Sequence, residues 1–275
     1  MHFKRCAQGS SLNHRLIDAS VAISAHHLVK RFRIPLMRHN TTYARIEARL
    51  RGYRTGYEEF NAVDDVSFYI HHGETVGVIG SNGSGKSTLL KLLAGVLYPT
   101  GGCVLVQGRI APFLELGVGF EPELTARDNI YLYGSIMGMS RKEIDRDYWD
   151  ILNFAELKRF EDMKVLNFSS GMQMRLGFSV AIHTNPDILL VDEVLAVGDE
   201  AFKRKCMEKM EEFRRDGKTI LFVSHSLDQI RAICKTCMLL KKGQIIATGS
   251  PNEVIDRYYL SIQESAGKVD LTGGR

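Results

Sequence analysis

The chain has no apolar run approaching the ~18 residues of a membrane-crossing helix, so it is not expected to span a bilayer by itself. Its N-terminus, residues 1–24, holds no continuous apolar stretch of the kind a secretory signal carries. Cysteine is scarce. Five in 275 residues, an odd count, argues against a disulfide framework and for a reduced, cytoplasmic protein. Two of the five, Cys234 and Cys237, stand at C-x-x-C spacing. A zinc site would need two further ligands nearby, and none is there, so the pair reads as small core or surface residues. Neither sign of charge dominates: 36 basic and 32 acidic residues leave a net +4, too little to imply a nucleic-acid partner. There is no internal repeat and no long heptad block. What remains is an ordinary globular composition, 44% hydrophobic and 25% charged, at a length that suits one large or two modest domains.

The most informative stretch is Gly80-Ser81-Asn82-Gly83-Ser84-Gly85-Lys86-Ser87-Thr88, which fits G-x-x-x-x-G-K-[ST]. Thr75–Ile79 before it reads as a buried strand, and Leu89–Leu93 after it has helical character. Strand, glycine-rich loop and helix form the context this phosphate-binding motif requires. Glycines let the backbone curl with its N–H groups inward, and the helix N-terminus adds positive potential. Lys86 is expected to reach the β- and γ-phosphates, and the Ser87 hydroxyl to hold Mg²⁺. A chance glycine-rich turn would not explain both flanks.

Residues 1–20 are polar and aperiodic, and are expected to form a loose leader. Val21–Phe32 reads as a strand. Tyr43, Ile46, Leu50, Tyr53 and Tyr57 then recur at steps of three and four, a helical stripe crowded by Arg38, Arg45, Arg49, Arg51 and Arg54. Phe60–Ile70 alternates like a half-buried strand. Thr125–Arg175 is mostly helical, with Ile130, Leu132, Tyr133, Ile136 and Met137 as one apolar set and Ile144, Tyr148, Ile151 and Leu152 as another. Strand and helix alternate again over Ile188–Val191, Glu200–Arg215, Thr219–Val223 and Ser226–Ile233. Met238–Leu240 and Gln244–Thr248 predict a hairpin turning at Lys242-Gly243. Pro251–Ile262 predicts a closing helix with Ser250 as N-cap. The alternation implies a mainly parallel α/β core with an inserted helical block.

Two further strands end in chemistry. Ile188–Val191 runs into Asp192 and Glu193, at the carboxyl edge of the sheet where ligands of parallel sheets sit. Asp192 is placed for Mg²⁺ and Glu193 for the water that attacks the γ-phosphate. Thr219–Val223 runs into His225, at the same edge, where it could bond the γ-phosphate. Phe168-Ser169-Ser170-Gly171-Met172 precedes another helical run. It reads equally as an N-cap and as a phosphate contact, and sequence physics does not choose between the two.

Across residues 21–262 these motifs together resemble an ATP-binding cassette subunit. The likeness implies a P-loop NTPase fold with a RecA-like core sheet, an N-terminal antiparallel β subdomain and an inserted helical subdomain. Gly80–Thr88 matches the Walker A loop, Ile188–Glu193 the Walker B strand and His225 the switch histidine. Ser169, Ser170, Gly171 and Met172 correspond to the signature motif, with Ser for its first Gly and Met for its Gln. Asp199 closes the D-loop. The resemblance implies a head-to-tail homodimer in which Ser169 and Gly171 of one copy touch the ATP held by the other. The usual Q-loop glutamine is missing. Glu115 is the expected magnesium-facing substitute and Glu121 the second choice. Phe32 is the expected adenine-stacking aromatic, with Tyr57 and Phe60 as rivals.

The run Val194–Phe202, with Leu114–Phe120 upstream, is similar to cassettes that export O-antigen, capsule or teichoic acid. That likeness implies a peripheral subunit on the cytoplasmic face of the inner membrane. It would work with two copies of a separate membrane permease, meet lipid-linked glycan only indirectly and bind no nucleic acid. Exporters of drugs, lipids or peptides share every catalytic residue, and a soluble cassette acting on nucleic acid or the ribosome is the remaining alternative. The basic insert, about residues 33–58, reads either as a helix on the cassette's edge or as one facing anionic lipid. Residues 263–275 are expected to be a flexible tail.

Overall fold

The computed structural model describes residues 2–7, 18–35, 57–113, 119–192, 199–224 and 226–267. Two β-sheets divide the strands. The first is four-stranded and antiparallel, in the order β1 (His2–Cys6), β5 (Gly101–Gln107), β2 (Val21–Pro35), β3 (Tyr57–His71). β2 and β3 are 15 residues each and pair as far as Pro35 opposite Tyr57. The arginine-rich stripe expected to be helical falls on residues 36–56, outside the described residues.

The second sheet has six strands in the order β10 (Gln244–Gly249), β9 (Thr236–Lys241), β4 (Thr75–Ile79), β8 (Thr219–Val223), β7 (Ile188–Val191), β6 (Ile110–Phe113). Neighbours are parallel except β10, which folds back on β9. Its turn uses Lys242 and Gly243, both left-handed at φ 50° and 81°, as a tight two-residue hairpin demands. β4, β7 and β8 are buried at every position, as strands covered on both faces must be. Successive side chains alternate between two cores. Val76, Val78, Ile188, Leu190, Leu221 and Val223 pack towards the antiparallel sheet and α1 (Lys86–Leu93). Leu189, Val191, Ile220 and Phe222 pack beneath α4 (Ser170–His183), α5 (Glu200–Arg215), α6 (Leu227–Ile233) and α7 (Pro251–Gly267).

A third core is helical. It joins α2 (Ala126–Ile136), α3 (Arg141–Ala155) and one face of α4, where Leu176 and Val180 meet Ile130, Ile144, Tyr148, Ile151 and Leu152. Phe178, Ala181 and Ile182 of the same helix face the sheet instead. α4 therefore belongs to both bodies. Ser140 starts α3 with a capping box closed by Glu143. Among the described residues no helix is long and apolar enough to cross a membrane.

Four expectations change. The leader is not wholly loose, because β1 pairs with β5 over His2–Cys6. A five-residue polar strand whose partner lies about a hundred residues away leaves no local period to read. Cys6 and Cys103 are opposite each other in that pairing and form a disulfide, which the odd cysteine count had argued against. The four-residue β6 was not anticipated, since Pro112 discourages a strand assignment; it is tolerated here because β6 is the sheet's edge. Leu132 and Ile136, grouped with the apolar face of α2, are exposed. Cys234 and Cys237 are buried free thiols, as expected of core residues, and burial pushes both up to about 12.

Candidate nucleotide-binding site

The glycine-rich loop leaves the buried end of β4 and enters α1. Two of its glycines are obligatory. Gly80 (φ 154°) would place a Cβ 2.2 Å from the carbonyl oxygen of Leu240, and Gly85 (φ 110°) 2.2 Å from that of Ala62. No side chain fits at such separations, so the loop presses against β9 and β3 with bare backbone. Lys86 is 7% exposed, and its ammonium donates to the carbonyl oxygens of Gly80 at 2.7 Å and Ser81 at 3.1 Å. The loop thus curls around this cation. Asn82, Gly83, Ser84, Gly85, Lys86, Ser87 and Thr88 line a cavity of about 460 Å³ together with Phe60, Ala62 and Asp192. The Ser84 hydroxyl in its wall is buried without a hydrogen-bond partner.

Asp192 follows β7 at the carboxyl edge of the sheet. Its Oδ2 accepts a hydrogen bond from Ser87 Oγ at 3.2 Å, across 105 residues of sequence. A hydroxyl and a carboxylate side by side at the foot of a phosphate loop are hard oxygen donors of the type Mg²⁺ takes. The orphaned Ser84 hydroxyl, the bare-backbone cradle and this oxygen pair fit a magnesium–triphosphate group. Glu193, His225 and Glu115 lie outside the described residues. Glu121 is exposed at the start of the helical block, where its N–H donates to Asn129 Oδ1 at 2.7 Å.

Among the aromatic candidates, Phe60 lines the loop cavity, where Phe32 had been preferred. Phe32 sits directly opposite Phe60 on β2, hence on the same face of the ribbon, with Lys30 Nζ 5.3 Å from its ring. It lines a separate depression with Val29, Arg31, Arg33, Thr100 and Gly101. Tyr57 pairs with Pro35 at the far end of the ribbon and does not line the cavity.

The signature stretch is an N-cap. The Ser169 side chain accepts from the N–H of Met172 at 3.2 Å, and α4 starts at Ser170. Ser169 and Ser170 are exposed, and among the described residues a Cβ on Gly171 would meet only Ser169 Oγ, at 3.8 Å. The remaining N-terminal N–H groups of α4 are therefore open to an anion. Asp199 caps α5, taking the N–H of Phe202 at 2.9 Å, and also takes Arg175 Nη2 at 2.5 Å. The Phe202 N–H and then the Arg175 charge hold its carboxyl below the usual range.

Sequence reading passed over two residues that shape this region. Asn129 is fully buried and its amide donates to the carbonyl oxygens of Glu121, Leu124 and Thr125, fixing the entry to α2. Arg175 joins α4 to Glu156 and Asp199. Asn129 breaks an apolar stripe, the one signal that could have marked it; nothing local marks Arg175.

The sequence pattern of the ABC transporter family matches residues 63–196. Over 200 residues, 73% of the chain, it is 46% identical to the O-antigen export system ATP-binding protein RfbB of Klebsiella pneumoniae, covering 81% of that protein. It is 44% identical over 201 residues to the teichoic acids export ATP-binding protein TagH of Listeria monocytogenes, covering 73% of this chain and 60% of TagH. The chain spans 65% of the length of another relative, the ABC transporter protein AbcA of Aeromonas salmonicida, at 46% identity over 200 residues, 73% of this chain. The dimeric structure of MJ0796, a bacterial ABC transporter cassette, superposes with a TM-score of 0.65 at 25% identity, over 83% of this chain and 98% of that one. The loop, the Ser87–Asp192 pair, the capped signature turn and these likenesses agree: the chain belongs to the ABC transporter family.

Proposed function

We propose that this chain is the ATP-hydrolysing subunit of an exporter that drives a separate membrane subunit to move lipid-linked polysaccharide across the cytoplasmic membrane. The observation that carries the ATPase reading is the Ser87–Asp192 hydrogen bond at the foot of the Lys86 loop, since it joins the two motifs that no local sequence feature joins. The 43–46% identities to O-antigen and teichoic-acid export proteins support the choice of cargo.

In this reading the backbone N–H groups of 81–88 and the Lys86 ammonium bind the phosphates. Ser87 and Asp192, with Glu115 from the segment 114–118, would hold Mg²⁺, which supplies charge neutralisation of the phosphate oxygens. Glu193 takes the proton of the attacking water, and His225 bonds the γ-phosphate. Phe60 flanks the base, with Phe32 behind it. Two copies meet head to tail, so that Ser169, Ser170, Gly171 and Met172 of one face the triphosphate of the other, with Asp199 beside them. The open N-terminus of α4 supports that role: its free N–H groups and helix dipole suit an anion that the chain itself does not supply. Catalysis is then positioning and electrostatics more than covalent chemistry.

The test is Glu193→Gln in the full chain. It is expected to keep nucleotide binding and to lower turnover by about 10²–10⁴. Wild-type turnover would remove Glu193 from its role. For the cargo, co-purification with a polytopic membrane protein and stimulation of ATP hydrolysis by an undecaprenyl-linked sugar are the expected results. Stimulation by an unrelated lipid or peptide alone would overturn the polysaccharide assignment.

A further inference from the structure

Arg175 lies six residues beyond the Ser169 cap, roughly 9 Å along α4 at 1.5 Å per residue. Its guanidinium satisfies carboxylates from two different parts of the fold. Nη1 donates to Glu156 Oε2 at 2.8 Å, and Nη2 to Asp199 Oδ2 at 2.5 Å. Its carbon also sits 5.0 Å from the centre of the Phe202 ring on α5. The Arg175 side chain is 19% exposed, while its two carboxylate partners, at 52% and 61%, face solvent, so the guanidinium is held by packing as well as by its ion pairs.

Each partner ends an element. Glu156 is the C-cap of α3 and holds the left-handed φ of 61° that stops that helix. Asp199 is the N-cap of α5 and the first described residue after the segment 193–198, which carries Glu193. Lys205, one and a half turns into α5, reinforces the junction. It donates to the carbonyl oxygen of Phe154 at 2.8 Å and lies 3.6 Å from Glu156 Oε1. Two cations and two carboxylates thus fasten α3, the signature helix and the start of α5 at one point. A planar guanidinium suits this task, because it presents separate N–H groups in fixed directions to two acceptors.

We infer that Arg175 is a positioning residue for hydrolysis, holding the signature end of α4 in register with Asp199 and the start of α5. It touches neither the phosphate loop nor the cavity of about 460 Å³. It acts through Asp199, whose other oxygen fixes the start of α5. The brace couples the surface that one cassette offers to a neighbour with the start of α5, the element that follows Glu193 in sequence. This role rests on the ATPase proposed above, and a readout independent of activity separates the two.

The full chain is compared with Arg175→Ala and Arg175→Lys. Arg175→Ala is expected to lower kcat for ATP about tenfold while affinity for a fluorescent ATP analogue stays within about twofold. Arg175→Lys keeps the charge but not the fork, and its kcat is expected to fall between. Hydrogen exchange of 169–176 and 199–206 is expected to quicken together in Arg175→Ala. Unchanged kcat, or loosening of only one segment, overturns the brace. If Arg175→Ala does not fold, the lysine variant decides: a milder form of the same split supports the brace, and wild-type kinetics overturn it. A wild-type chain that does not hydrolyse ATP overturns the proposed function, and the paired exchange change then still decides the brace.

Discussion

The phosphate loop and the signature turn are both helix N-termini that offer backbone N–H groups to an anion, yet they are built in opposite ways. The loop is closed by its own chain. Gly80 and Gly85 touch the backbone of β9 and β3, Lys86 is buried within the curl, and Asp192 arrives from β7 to bond Ser87. The turn at Ser169–Gly171 is open. Its serines are exposed, and among the described residues only Ser169 Oγ, at 3.8 Å, borders the space a Gly171 side chain would fill. The helix is tied to its surroundings further along, by Gln173 to Val165 and by Arg175 to Glu156 and Asp199. The first is a finished cradle; the second is an exposed turn, which the proposed dimer would set against its neighbour's triphosphate. Glycine therefore serves close packing at one site and leaves open space at the other.

The sharpest separation of the two comes from changing one glycine in each. Gly85→Ala is expected to abolish nucleotide binding and to lower stability by about 1–3 kcal/mol, because φ is positive there and the new methyl meets the Ala62 carbonyl. Nucleotide titration and thermal unfolding check it, and retention of both would show that the loop can open without cost. Gly171→Asp is expected to leave the melting temperature unchanged or slightly higher, since an acid in the first turn of a helix suits its dipole. Hydrolysis is expected to fall by about tenfold or more, through repulsion of a facing phosphate across the dimer. Normal turnover in that variant would remove the signature turn from the site. The smallest effect concerns the base. Phe60→Ala is expected to raise the apparent KM for ATP about threefold to tenfold, in line with an aromatic stack of about 0.5–1.5 kcal/mol, and Phe32→Ala less. Steady-state kinetics on both variants would reverse the ranking if Phe32 is the stacking ring.

The parts of the site carried by contiguous residues were readable in advance. The curl of 80–88, the acid at the end of Ile188–Val191 and the Lys242-Gly243 hairpin each follow from residue types at fixed spacing, and the cap at Ser169 is one of the two readings its sequence leaves open. So does the helical block, where Ile144, Tyr148, Ile151 and Leu152 recur with helical period and are all buried. Other features were not readable. β1 is five residues pairing with a strand near residue 105, and β6 contains a proline. Sequence reading favours Phe32 over Phe60 as the stacking ring, and the order is reversed only by which of the two, paired across β2 and β3, the loop approaches. Arg175 stands in a helix where any basic residue would satisfy the pattern.

The sequence alone settled the nucleotide-binding character of the chain, because a phosphate cradle is short and its chemistry is local. Its alternating strands and helices also settled the parallel core. Only the folded chain decided that Asp192 meets Ser87, that Phe60 and not Phe32 borders the cavity, and that Arg175 ties α3, α4 and α5 together. Those contacts join residues tens to a hundred positions apart. Their geometry is set by sheet register and by the packing of whole elements, and neither leaves a periodic trace in the residues that meet.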